Sequence, residues 1–184
     1  MLNDKLVTYS MIPEIDISTH MLHFVQYYDS PLGRILLVSD DIGLNGVSFD
    51  GSKHYRDILP CEYIEQDTPS LAETKRWLDE YFMGREPNFM PRLHIIGSVF
   101  RLSVWQILLQ IPYGQKMTYG DIARLLAAMR GIDKMSAQAV GNAIGHNRIS
   151  IIIPCHRVVG VHGDMIGYDA GVYIKEQLLK LEHA

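Results

Sequence analysis

The chain has 184 residues, 47% of them hydrophobic and 21% charged, with a formal net charge of −4 at pH 7. That composition excludes a disordered or fibrous protein and allows one domain, or two small ones, with a sizeable core. No apolar stretch approaches the roughly 20 residues of a membrane span, and residues 1–20 lack a basic start followed by an apolar run, so a cytoplasmic protein without a membrane partner is expected. The two cysteines, Cys61 and Cys155, give neither a disulfide framework nor a metal-ligand spacing. Charge is uneven: residues 1–96 hold 8 Lys and Arg against 15 Asp and Glu, whereas residues 97–184 hold 9 against 6. Only the second half is therefore suited to meet a polyanion.

Residues 1–20 show no clear period and read as a partly ordered tail. Three strands follow, over 24–28, 34–38 and 44–49, separated by turn residues at 30–33 and 40–43. The spacing predicts a helix over 69–83, opened by Pro69-Ser70 and ended by Gly84, with Leu71, Leu78 and Phe82 on one face and Trp77 and Tyr81 beside it. Residues 85–91 read as a linker. The first unit, 1–96, is thus a small α/β domain, and no catalytic group is expected in it.

The second unit, 97–184, is mostly helical. Phe100, Val104, Ile107, Leu108 and Ile111 predict an amphipathic helix that stops at Pro112. Thr118 caps a helix through about Met129, with Ile122, Leu125, Leu126 and Met129 inward. Ser136 caps a third, rich in Ala and Gly, over 137–144. Two helices joined by a turn make a candidate helix-turn-helix, whose small residues let the backbone approach a phosphodiester chain. A plain packed helix pair is the competing reading.

The tetrapeptide Pro154-Cys155-His156-Arg157 closes the apolar run Ile151-Ile152-Ile153 and precedes Val158-Val159-Gly160. A thiol beside an imidazole and a guanidinium is placed for nucleophilic chemistry, its thiolate favoured by nearby cations. Neighbouring side chains in extended chain point apart, so Cys155 and His156 need a turn or a bridging water to cooperate.

Further phrases occur with this tetrapeptide in one order: Val104-Trp105, Ile111-Pro112-Tyr113-Gly114, Thr118-Tyr119-Gly120-Asp121, Ala139-Val140-Gly141, Asn147 to Arg157, Gly167-Tyr168, and Lys175-Glu176 with Glu182. Together they resemble the O6-alkylguanine-DNA alkyltransferases, closely over 97–182 and more loosely before. The resemblance implies an RNase H-like first domain and a winged-helix-like second domain with the helix-turn-helix. It implies a suicide methyltransferase that flips an alkylated guanine, with O4-alkylthymine as a second possible substrate, out of double-stranded DNA and moves the alkyl group onto its own cysteine. No cofactor and no metal are implied, and a monomer is expected.

By the same resemblance Cys155 is the acceptor, His156 takes the thiol proton through a water, and Glu182 orients His156. Asn147 ties the segment before the cysteine to the helix-turn-helix, and Tyr119 presses on the flipped nucleotide's phosphate and donates a proton to the leaving base. Ala137, Gln138, Ala139 and Gly141 lie on the groove helix. Ile144, Val158 and Tyr168 wall the base pocket, with Asp169 and Lys175 beside them. Gln138 stands where an arginine is usual, and lacks its charge and planar breadth. Asp169 replaces a small residue, where a carboxylate would either accept from the guanine amine or repel phosphates. Two other functions compete: a lesion-binding or regulatory DNA module without transfer, and a cysteine hydrolase, for which no oxyanion-hole signature is present.

Overall fold

The computed structural model describes residues 21–183; the tail expected over 1–20 lies outside them. Strands β1 (Phe24–Ser30), β2 (Gly33–Ser39) and β3 (Leu44–Phe49) form an antiparallel meander, and a short β4 (Ile64–Glu65) adds parallel to β1, giving the order β3-β2-β1-β4. Central β2 alternates between two apolar environments. Ile35 and Leu37 enter the main core, whereas Leu36 and Val38 join Val25 and Ile58 in a smaller cluster on the other face. Ile58 comes from a one-turn helix, α1 (Tyr55–Ile58), which the sequence pattern did not announce and which covers that second face.

Helix α2 (Pro69–Phe82) lies on the core face. Its cap is Thr68, one residue earlier than the predicted opening, with the hydroxyl accepting from Leu71 N at 3.2 Å, and Pro69 occupies the first turn, where no N–H is needed. Gly84, at φ +74°, leads the chain out.

In the second half, α3 (Val99–Leu108) ends four residues before Pro112, earlier than predicted, and Ile111 is buried from the turn that follows. Helix α4 (Tyr119–Arg130) begins with a reciprocal capping box between Thr118 and Asp121 and ends at Gly131, φ +62°. Leu125 and Met129, expected inward, are 46% and 66% exposed; Ala123 and Ala127 share the buried face with Ile122 and Leu126 instead. Helix α5 (Ala137–Gly145) is capped by Ser136 as predicted and packs on both α3 and α4. Trp105 of α3 donates its Nε1–H to Ala143 O at 2.9 Å, which fixes α5 from behind. A two-stranded parallel sheet joins β5 (Met117–Thr118) to β6 (Val158–Val159), and α6 (Val172–Leu181) closes the chain.

One apolar core runs through both halves, from Ile35 and Leu78 to Val140 and Ile153. The outer edge of β3 is also paired to later chain. Leu44 N donates to Arg92 O at 2.8 Å, Val47 N donates to Arg148 O at 2.8 Å, and Ser150 N donates to Val47 O at 3.0 Å. The segment leading to Cys155 is therefore laid along the first sheet. Gly43 permits the first of these approaches, because a Cβ there would stand 2.6 Å from Arg92 O. Gly43→Ala is expected to cost about 1–3 kcal/mol, measured as a lower urea midpoint with an unchanged slope.

Candidate active site

The cysteine segment is built from its own backbone outward. Asn147, two residues beyond α5, donates from Nδ2 to Ile153 O at 2.8 Å and to Cys155 Sγ at 3.1 Å, while its Oδ1 accepts from Ile149 N at 3.0 Å. One amide thus closes the loop between groove helix and thiol. Ile151 sits inside that loop at φ +69°, a left-handed conformation that a β-branched residue adopts only at a cost of about 1–3 kcal/mol. Asn147 on one side and the pairing with Val47 on the other hold it there. Cys155–Arg157 then form a single 3-10 turn, which supplies the bend that Cys155 and His156 needed.

Glu182, the residue after α6, is buried and receives five donors. Oε1 accepts from His156 Nε2 and the Tyr81 hydroxyl, each at 2.7 Å, and from Arg157 Nη2 at 3.0 Å. Oε2 accepts from Arg157 Nε at 2.8 Å and from Gly114 N at 3.2 Å. Against the desolvation that burial brings, His156 and Arg157 hold its carboxyl down at about 2. An ionised Glu182 assigns the His156 tautomer: Nε2 carries the proton and Nδ1 is a bare acceptor. That nitrogen is buried and has no partner among the described residues. Burial lowers the pKa of His156, so the imidazole is neutral at rest.

Two of the contacts to Glu182, from Tyr81 and from Arg157, were not foreseen. Tyr81 belongs to α2, so the first half, in which no catalytic group is expected, nonetheless sends a hydrogen-bond donor to Glu182. Its helical spacing with Trp77 and Leu78 reads as core, and nothing in the pattern shows a hydroxyl reaching 101 residues along the chain. Arg157, expected as a cation beside the thiol, is instead buried against Glu182, and its Nη1 donates to Ile111 O at 2.6 Å.

Cys155 itself is 5% exposed. Burial pushes its pKa up to about 11; the Asn147 hydrogen bond and the Lys175 charge oppose this and do not win. The expectation of a cation-stabilised thiolate is therefore corrected: the resting group is a thiol, and its reactivity depends on a base that removes the proton in the event.

Family models match the chain twice, the 6-O-methylguanine DNA methyltransferase ribonuclease-like domain over residues 24–95 and the DNA-binding domain of the same name over 99–184. A Methanosarcina acetivorans methylated-DNA–protein-cysteine methyltransferase is 41% identical over 155 residues, covering 84% of this chain and 95% of its own. A Mycobacterium bovis protein of the same name is 45% identical over 167 residues, covering 88% and 93%. The chain belongs to the methylated-DNA–protein-cysteine methyltransferase family. Among solved structures, Mycobacterium tuberculosis OGT in complex with DNA superposes with a TM-score of 0.75 at 34% identity, over 87% of this chain and 92% of that one.

The remaining residues to which the family gives roles divide into two groups. Tyr119 follows β5 and so stands beside the chain after Cys155; its hydroxyl donates to Ile166 O at 3.2 Å. Gly167, φ +64°, makes room for it, since a Cβ there would come within 2.9 Å of that hydroxyl. Tyr168 is buried, with Ser150 as neighbour but no hydrogen-bond partner of good geometry among the described residues. Ile144 and Val158 are buried around the same centre. On α5, Ala137 and Gln138 are exposed, Ala139 and Gly141 half-buried, and Gly141 packs its bare Cα side toward the Tyr119 ring.

Two others are occupied elsewhere. Lys175, placed with the DNA-binding residues, is fully buried, and its ammonium donates to Val158 O at 2.5 Å and Ile166 O at 2.7 Å. It bridges the chain just after the cysteine turn to the segment before Gly167. Asp169 Oδ1 accepts from His54 N at 3.2 Å, which ties its loop to the first half. His146, just beyond α5, stacks on His54 with ring centroids 5.6 Å apart. No group of three or more His, Cys, Asp or Glu able to hold a metal occurs among the described residues.

These assignments predict a slow, base-limited thiol. Without DNA, alkylation of Cys155 by iodoacetamide should rise with pH toward about 11, the value to which burial raises it. Asn147→Ala removes the hydrogen bond that opposes that rise, so the same peptide should label several-fold more slowly near neutral pH. Peptide-resolved labelling across a pH series checks both.

Proposed function

We propose that the protein repairs DNA by moving an alkyl group from O6 of guanine onto Cys155, once per molecule. The observation that carries this reading is the cluster in which Asn147 holds the thiol while Glu182, ionised and buried, leaves His156 with a bare Nδ1. In a chain of this family, that nitrogen is the end of a proton path from the thiol through a water. As the proton leaves, sulfur attacks the alkyl carbon, the S–C bond forms and the C–O6 bond breaks. Its electron pair stays with the base, which takes a proton from the Tyr119 side. His156 gains charge in that step, and the Glu182 carboxylate stabilises the imidazolium.

The alkylated atom lies inside the duplex, so the base must leave the stack. Helix α5 is the groove element, with Gln138 entering the space left behind, and Ile144, Val158 and Tyr168 forming the pocket wall. Residues 97–184 carry the transfer and the DNA contacts. Residues 1–96 support them through the β3 edge and Tyr81. The mild excess of cations in residues 97–184 suits a polyanion. A one-for-one transfer needs no second copy, and two free thiols suit a reducing compartment, so we take the protein to act as a monomer in the cytoplasm.

Incubation with duplex DNA containing O6-methylguanine should add one methyl group to the Cys155 peptide, with one base restored per protein molecule. Salt-dependent DNA binding with no adduct would favour a lesion-binding module, and repeated turnover a hydrolase. Gln138→Arg should accelerate repair of the duplex by about tenfold, the worth of one charge-assisted contact, while reaction with the free base stays unchanged. Equal acceleration of both substrates in single-turnover assays would remove Gln138 from the flipping step.

A further inference from the structure

Tyr81 reaches the relay from α2, in the half of the molecule to which the family motif assigns no chemistry. Its hydroxyl donates to Glu182 Oε1 at 2.7 Å and lies 3.3 Å from His156 Nε2. The ring is clamped: stacked on Trp77 at 5.3 Å, edge-on to Phe82 at 5.5 Å, edge-on to Tyr113 at 6.1 Å, and edge-on to His156 at 6.3 Å. A phenol so held cannot turn away from the carboxylate. Oxygen Oε1 is also the acceptor of His156 Nε2–H, so one atom collects both donors.

We propose that Tyr81 is a positioning residue of alkyl transfer, whose hydroxyl fixes the Glu182 oxygen that receives His156 Nε2–H and sets how basic His156 Nδ1 is. The inference rests on the alkyl-transfer reading given above. A carboxylate that shares its charge among more donors is a weaker partner for an imidazolium. With the Tyr81 hydroxyl in place, His156 remains neutral to lower pH, and its Nδ1 stays available as the base. Burial and the Glu182 charge keep the phenol protonated, and therefore always a donor. The other groups acting on His156 are Glu182 just after α6, Arg157 in the same turn and Lys175 on α6, with the Tyr168 ring edge-on to it at 6.4 Å. Of all these, Tyr81 alone comes from residues 21–96.

Tyr81→Phe keeps the ring and deletes the donor. Single-turnover methyl transfer from O6-methylguanine duplex should show its acid limb displaced upward by about one pH unit. The rate should then fall about tenfold below the limb and stay within about twofold on the alkaline plateau, with DNA affinity unaltered. An unmoved limb, or a loss equal at every pH, would mean that the hydroxyl only packs, and would overturn the proposal. Should the variant fail to fold, the wild-type protein labelled with nitrogen-15 histidine supplies the same decision. His156 must show the Nε2-protonated tautomer, with a slowly exchanging Tyr81 hydroxyl proton close to Nε2–H; an Nδ1-protonated ring would overturn the proposal. A wild-type protein that never gains the methyl group sinks the transfer reading itself, a result distinguishable from any displacement of the limb.

Discussion

A single buried carboxylate organises this molecule. Glu182 lies just beyond the last helix, where a charged side chain would ordinarily be solvated, yet it collects donors from α2, from the turn after α3, and from the cysteine turn. Removing such an anion from water costs several kcal/mol, which only a full set of hydrogen bonds offsets. Each donor therefore has to be in place, and their combined demand fixes where α2, Gly114 and the Cys155–Arg157 turn meet. The same arrangement leaves one imidazole nitrogen without a proton beside a thiol that burial keeps protonated. Structural need and chemical readiness are satisfied by one set of contacts.

The geometry of the thiol has a second origin in the first sheet. An edge strand exposes unpaired N–H and C=O groups, and β3 covers its own by pairing with the chain around Leu93 and Ile149. The second pairing fixes the start of the segment that Asn147 closes, so the left-handed Ile151 is held at both ends. Lys175 does similar work on the far side, bridging Val158 and Ile166 with a charge that never faces solvent. Burial lowers its pKa to about 8, the mark of an ammonium placed for its hydrogen bonds rather than for its charge.

Much of this was legible in the sequence, for reasons that differ by residue. Strands β1 to β3 were, because alternating and continuous apolar runs lay between strong turn residues. Helices α4 and α5 were, because Thr118 and Ser136 are caps with a local mechanism. Cys155, His156, Asn147 and Glu182 came from the order of the motifs, and the structure brings those four together. What could not be read was whatever tertiary burial decided. Met129 has the spacing of a core residue but faces outward, and Ala123 and Ala127 share the buried face with Ile122 and Leu126 instead. Lys175 and Asp169 are placed by the resemblance beside the base pocket, and only the folded loop shows the carbonyls and the His54 N–H that each engages. The raised thiol pKa was also out of reach, because a nearby cation is visible in a sequence and desolvation is not.

Because Tyr81 and the β3 edge both terminate at the reactive centre, the two halves are not interchangeable modules. A chimera that joined residues 97–184 to the first half of another relative would carry every motif residue intact. The hydroxyl donor to Glu182 Oε1 and the strand edge that pairs with Arg148 and Ser150 would nonetheless come from foreign chain, and any mismatch would be felt at the relay carboxylate and at the start of the cysteine segment. A change at Tyr81 or along β3 thus bears directly on Glu182 and on the cysteine segment, so the two halves form one unit for engineering.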